Sequence, residues 1–127
     1  MMQSDVDLHK RIDYLISMYC GLFFKKRNAR YVPSHENEAE AAEFHQLLLG
    51  LVAQDRINEA EDYLFEHLDE TNREHFEIVL DFFSTINRYD SYHLSECGFT
   101  RGEIEEGLWD AAELFGLELP TGPMDGI

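Results

Sequence analysis

Apolar positions recur along this chain with the period of an α-helix in every long segment. Leu8, Ile12, Leu15, Tyr19, Leu22 and Phe23 fall on one helical face, and Ile16, Met18, Cys20 and Phe24 widen it. Only Asp13, Ser17 and Gly21, each four residues apart, leave a polar gap. The pattern predicts a first helix from Asp5 to about Asn28. Ser4 would be its N-cap, with Asp5 and Asp7 in the first turn and Lys25, Lys26 and Arg27 in the last, the charge placement a helix dipole favours. A helix apolar almost all round must be covered on most sides. It is therefore expected either to be the central helix of the domain or to pack also against a second copy.

Asn28, Val32-Pro33 and Ser34 mark a connection. A second helix is predicted to begin near Ser34 or Asn37. Asn37 and Glu40 have capping-box spacing, and Ala41, Phe44, Leu48, Leu51 and Val52 form the buried stripe. The turn Gln54-Asp55-Arg56 leads into a third helix ending near Leu68, with Ile57, Ala60, Leu64 and Leu68 inward. Thr71-Asn72-Arg73-Glu74 predicts a capping box. The helix after it, carrying Phe76, Val79, Leu80, Phe83 and Ile86, should be deeply buried. A short helical turn, about Ser91 to Glu96, is ended by Gly98. Thr100 to Glu103 is a further capping box, before a last helix using Ile104, Leu108, Ala111, Leu114 and Phe115 and closed by Gly116.

No segment shows strand alternation with turn signals. The expected fold is all-α: five main helices in an antiparallel bundle-like domain spanning residues 1–127, with a loose tail over 117–127. At 127 residues the chain has the length of one domain.

Charge changes the picture. The chain holds 26 acidic and 10 basic side chains, a net charge of −16. The division is uneven: residues 1–30 carry six bases and three acids, and the remainder four bases and 23 acids. So acidic a body argues against nucleic-acid binding. No apolar run is long enough for a membrane span, and Asp5 and Asp7 stand before the apolar run where a secretory signal is basic. The expectation is a cytoplasmic protein with reduced Cys20 and Cys97 and no membrane partner.

Searches for chemistry return little. The residues three before His45, His67 and His75 are Ala42, Leu64 and Asn72, so the Glu-x-x-His pairs of di-iron bundles are missing. His35-Glu36 starts like a zinc-protease motif, but its fifth residue is Ala39. Neither cysteine is given a histidine at informative spacing, and no glycine-rich phosphate loop follows a strand. No catalytic residue, metal ligand or cofactor is assigned.

Residues 47–72 resemble part of a tetratricopeptide helix pair, with Leu47, Leu51, Ile57, Ala60, Leu64 and Leu68 at that repeat's apolar or small positions. Leu48, His67 and Asn72 depart from the pattern, and no second copy follows, so the likeness implies a helix pair rather than an array. Cys97-Gly98-Phe99 is weakly similar to the Gly-Phe loop of ubiquitin-associated domains and to a helix-turn-helix. A recognition helix starting at Arg101 would, however, present Glu103, Glu105, Glu106, Asp110 and Glu113 to phosphates. Three stretches resemble, more closely, a family of small uncharacterised bacterial proteins with a domain of unknown function. They are the first helix ending Phe23-Phe24-Lys25-Lys26, the run from Arg56-Ile57-Asn58-Glu59-Ala60-Glu61 to Leu68, and Phe99 to Leu108. That resemblance implies a bacterial cytoplasmic protein and transfers no activity.

Two functions follow as expectations. One is a non-enzymatic helical protein–protein interaction module, self-associating as a homodimer through the first helix. Tyr19, Phe23 and Phe24 would be its anchor and Lys25 and Lys26 its charged rim. The other is an acidic regulator or decoy that binds a basic partner protein.

Overall fold

The computed structural model describes residues 5–33 and 38–117. It is all-helical: among the described residues there are six helices and no strand. They are α1 (Asp5–Phe24), α2 (Glu38–Ala53), α3 (Ile57–His67), α4 (Arg73–Asn87), α5 (Ser91–Glu96) and α6 (Arg101–Phe115). The predicted caps at Ser4 and Asn37 and the predicted tail from residue 118 onward lie outside the described residues.

The centre belongs to α4. Ten of its fifteen residues are buried, including Phe76, Ile78, Val79, Leu80, Phe82 and Phe83, and α1, α2 and α6 all pack against it. Of the two places expected for the first helix, the central one is thus taken by α4. In α1 the buried side chains are Ile12, Leu15, Ile16, Tyr19 and Cys20, a single stripe facing inward. Val6, Tyr14 and Leu22 project outward. Apolar composition around α1 was misleading because α4 carries its own two-sided apolar surface and claims the middle of the core.

Helix ends account for two more differences. α1 stops at Phe24, so Lys25, Lys26 and Arg27 lie beyond it, not in its last turn. Lys25 takes a left-handed φ of 53°, and the chain turns back across α4. There Ala29 and Tyr31 are buried, and the Tyr31 N–H donates to the Asp81 carboxylate at 2.9 Å. Burial of these residues outweighs the helical preference of the basic run. The cap of α4 sits one residue later than predicted. The Thr71 hydroxyl donates to Asp69 at 2.6 Å, so Asn72 caps instead, accepting the Glu74 N–H at 3.0 Å. The Thr100–Glu103 capping box forms as expected, and Gly116 closes α6 with a left-handed φ of 67°.

Candidate functional site

Four helical positions on α6, Glu103, Glu106, Asp110 and Glu113, are spaced three, four and three apart. That spacing sets them on one face. Across from them α3 offers Glu61 and Asp62, and the six carboxylates line a groove of about 420 Å³ between the two helices. Its apolar lining is Phe65, Gly107 and Leu114, the last 50% exposed. No lysine or arginine is among the described residues that line it.

Gly107 lets α6 lie close on α4 and leaves room beside it for the Glu61 side chain. A Cβ there would stand 2.4 Å from the Phe83 ring and 3.0 Å from a Glu61 carboxylate oxygen. The electrostatic result shows at Glu61, whose carboxyl is pushed up to about 7. Burial is the main cause, followed by the charges of Glu103, Asp62, Asp110 and Glu106. Glu105, the remaining acid in this stretch of α6, points elsewhere and pairs with Arg11 of α1 at 2.6 Å.

The residues expected to bind a partner are distributed differently. Tyr19 is 0% exposed; its ring stacks on Phe23 and meets Phe76 edge-on at 5.3 Å. Phe23 and Phe24 are half-buried at the end of α1, beneath the Arg73 guanidinium, which lies 5.8 Å and 5.4 Å from their ring centres. Lys26 is tied down, donating to Glu77 and to the Arg30 carbonyl, both at 2.7 Å. Lys25 is exposed. The structure therefore brings the aromatic trio together as packing around Phe76 and leaves only the edges of Phe23 and Phe24, with Lys25, at the surface.

A second concavity, of about 1070 Å³, lies between α1, α2, α4 and the 27–33 segment, with Arg27, Arg30 and Arg88 at its exposed margin. Its floor holds His45 and Asp81, 2.8 Å apart. Burial alone would raise the Asp81 carboxyl. Hydrogen bonds from His45, the Tyr31 N–H and Thr85 instead hold it below the ordinary carboxylate value. These bonds fasten the 29–33 segment and α2 to α4. Among the described hydrogen bonds His45 meets no serine, threonine or cysteine hydroxyl or thiol that it could activate.

Sequence reasoning missed the groove because it read the α6 acids as one charged face without its α3 counterpart. It also passed over His93 and Cys97. They stand four apart and so share a helical face, and the structure gathers them with Asp55, their donor atoms all within 4.8 Å of one another. The spacing was available in the chain; the Asp55 contribution, from the α2–α3 turn, was not. Arg101, once considered as the start of a recognition helix, is buried at 4% exposure and unavailable to phosphates.

No described helix is long and apolar enough to cross a membrane. No curated protein matches the chain, and no solved structure does. A family model described as a family of unknown function, DUF6483, matches residues 1–116. That match takes in the first helix, the α3 stretch and the Phe99–Leu108 stretch on which the resemblance rested, and the chain belongs to this family.

Proposed function

We propose that this chain is a non-enzymatic helical interaction module that receives a basic segment of a partner protein in the α3–α6 groove. The observation that carries the reading is the convergence of six carboxylates on an apolar lining, with Leu114 half-exposed beside them. Like charges held at this density repel one another, and a partner supplying lysine or arginine removes that repulsion on binding. Phe65 and Leu114 then cover one apolar side chain of the partner. The role is that of an acidic regulator: the module occupies a basic segment and releases it as ionic strength rises.

The test is calorimetric titration of the full chain with a lysine- and arginine-rich peptide bearing one central leucine. Binding should weaken by at least about tenfold, or 1.4 kcal/mol, when Glu106 and Asp110 are replaced together by glutamine and asparagine. A peptide that fails to bind, or binds the variant equally well, overturns the reading.

A second reading, self-association through α1, has its own support. Tyr14 and Leu22 project from the outer side of α1, 57% and 53% exposed, with Met18 partly buried between them. Contiguous apolar surface of this kind marks contact sites, and Phe23, Phe24 and Lys25 continue it at the helix end. Sedimentation at about 100 μM, well above a ~1 μM dissociation constant, should give a dimer mass that Leu22→Glu abolishes.

The tetratricopeptide-like reading of α2 and α3 is kept as part of the proposal. Although Leu47, another position of that pattern, is 45% exposed, burial of Ile57, Ala60 and Leu64, with α2 packed on α3, supports it. So is a cytoplasmic setting, in which the two free cysteines stay reduced.

A further inference from the structure

Asp55 occupies the turn that ends α2, in a left-handed conformation with φ of 62°. His93 and Cys97 are four apart at α5 and its C-cap. The His93 Nε2 stands 2.8 Å from an Asp55 carboxylate oxygen, and the Cys97 sulfur joins them within 4.8 Å. We propose that Asp55, His93 and Cys97 form a zinc site, with a fourth position open to water or an exogenous ligand.

The donor set selects the metal. A thiolate and an imidazole favour zinc over magnesium or calcium, which take oxygen donors. Zinc bonds of about 2.0 Å to nitrogen or oxygen and 2.3 Å to sulfur place tetrahedral donors of this set roughly 3.3–3.5 Å apart. His93 and Asp55 stand closer than this, at 2.8 Å, and the Cys97 sulfur lies within 4.8 Å of both, so binding draws all three side chains into new positions.

The surroundings hold both halves of the site. The Tyr89 ring stacks flat on His93 at 4.2 Å and 9°, while its hydroxyl donates to the Val52 carbonyl at 3.2 Å. The end of α2 and α5 are thus joined through one side chain. On the other side the Asn58 amide donates to the carbonyls of Cys97 and Gly98, at 3.3 Å and 3.1 Å, fixing the cysteine's backbone against α3. The Asp90 side chain accepts the His93 N–H at 2.7 Å, setting the start of α5. These contacts hold the backbone at His93 and Cys97 and one face of the imidazole. Cys97 is the half-exposed cysteine and Cys20 the buried one, so entering metal meets only the former.

The test is titration of tag-free, reduced, full-length protein with cobalt(II), followed by competition with zinc. The expected result is thiolate-to-cobalt charge-transfer absorption saturating at one metal per chain and abolished by a stoichiometric amount of zinc. Cys97→Ser should lose the band, His93→Gln should weaken cobalt binding at least tenfold, and Cys20→Ser should change neither. Far-ultraviolet circular dichroism establishes that each variant is folded. If Cys97→Ser is unfolded, alkylation of the wild-type thiol at Cys97 serves in its place. No charge-transfer band, a band that survives loss of the Cys97 thiol, or one metal per two chains would overturn the proposal.

Discussion

Arg101 of α6 donates to the backbone oxygen of Asn87 at 2.7 Å and to its side-chain oxygen at 3.1 Å. The same guanidinium reaches the Tyr89 carbonyl at 2.8 Å and the Asp5 carboxylate at 3.1 Å. One buried cation therefore satisfies carbonyls at the C-terminal end of α4, where the helix dipole is negative, and ties α1 and α6 to that end. Asn87 completes the junction by donating to Asp13 at 2.9 Å.

Removing that cation leaves buried acceptors without partners. Arg101→Met should cost about 3–5 kcal/mol in urea unfolding, as expected when one partner of a buried ionic network is deleted. Arg101→Lys should recover little, because an ammonium cannot serve the carbonyls and the carboxylate with the same fork. A loss below about 1 kcal/mol for either variant would contradict this account of the junction.

Gly107→Ala sets two effects against each other. Alanine gains about 1 kcal/mol of helix propensity over glycine, while a Cβ 2.4 Å from the ring of fully buried Phe83 must displace it. Overpacking of this sort costs about 1–3 kcal/mol, so a net loss of up to about 2 kcal/mol is expected. Phe83→Leu in the same chain should make the alanine tolerable. Equal cost in both backgrounds would show that the ring is not the obstacle.

Glu61 has a sign that can be worked out. Its folded value, about 7, lies above the ordinary 4.5. Between those two values the folded state holds the proton more tightly than the unfolded chain, so stability falls as pH rises through this window and levels off above it. Glu61→Gln should remove that slope. With allowance for solvent screening of this half-buried group, the gain at pH 8 should be on the order of 1–2 kcal/mol, with little change at pH 4.5. Moderate salt should stabilise the wild-type chain at pH 8 more than the variant. Parallel pH profiles for the two proteins would remove Glu61 from the account.

For α1, inner and outer positions should respond differently. Leu22→Glu, on the exposed side, should change the mass in solution and leave the thermal midpoint nearly untouched. Phe24→Ala should lower the thermal midpoint. Its half-buried ring packs on Phe76 at 6.2 Å, so the cost should fall at about 1–3 kcal/mol, below the ~3–5 of a fully buried ring. A Leu22→Glu protein that melts well below wild type would place that side chain in the fold rather than in a contact between copies.

Periodicity made the helices legible, because each had to bury one face. Thr100, Gly98 and Gly116 marked boundaries because their chemistry acts locally. Lys25 gave no such sign: a left-handed lysine is chosen by what Ala29 and Tyr31 bury further on. Asn72 displaced Thr71 as a cap because Asp69 engaged the threonine hydroxyl, a competition decided within the 69–74 turn. The sequence leaves the centrality of α1 open because its apolar content ranks with that of α4, whereas packing on three sides distinguishes α4. The groove was half legible: the α6 acids share a face by spacing alone, but the nearness of Glu61 to Gly107 comes only from the fold. Likewise His93 and Cys97 could be paired from spacing, and Asp55 only from the fold.

Backbone amide shift mapping by NMR tests the groove most directly. The full chain would be titrated with the basic, leucine-bearing peptide at low and moderate salt. The account predicts the largest perturbations at Phe65, Gly107 and Leu114 and at the acids beside them, shrinking as salt rises. Perturbations centred on Tyr14 and Leu22, or spread evenly over the acidic surface, would contradict it.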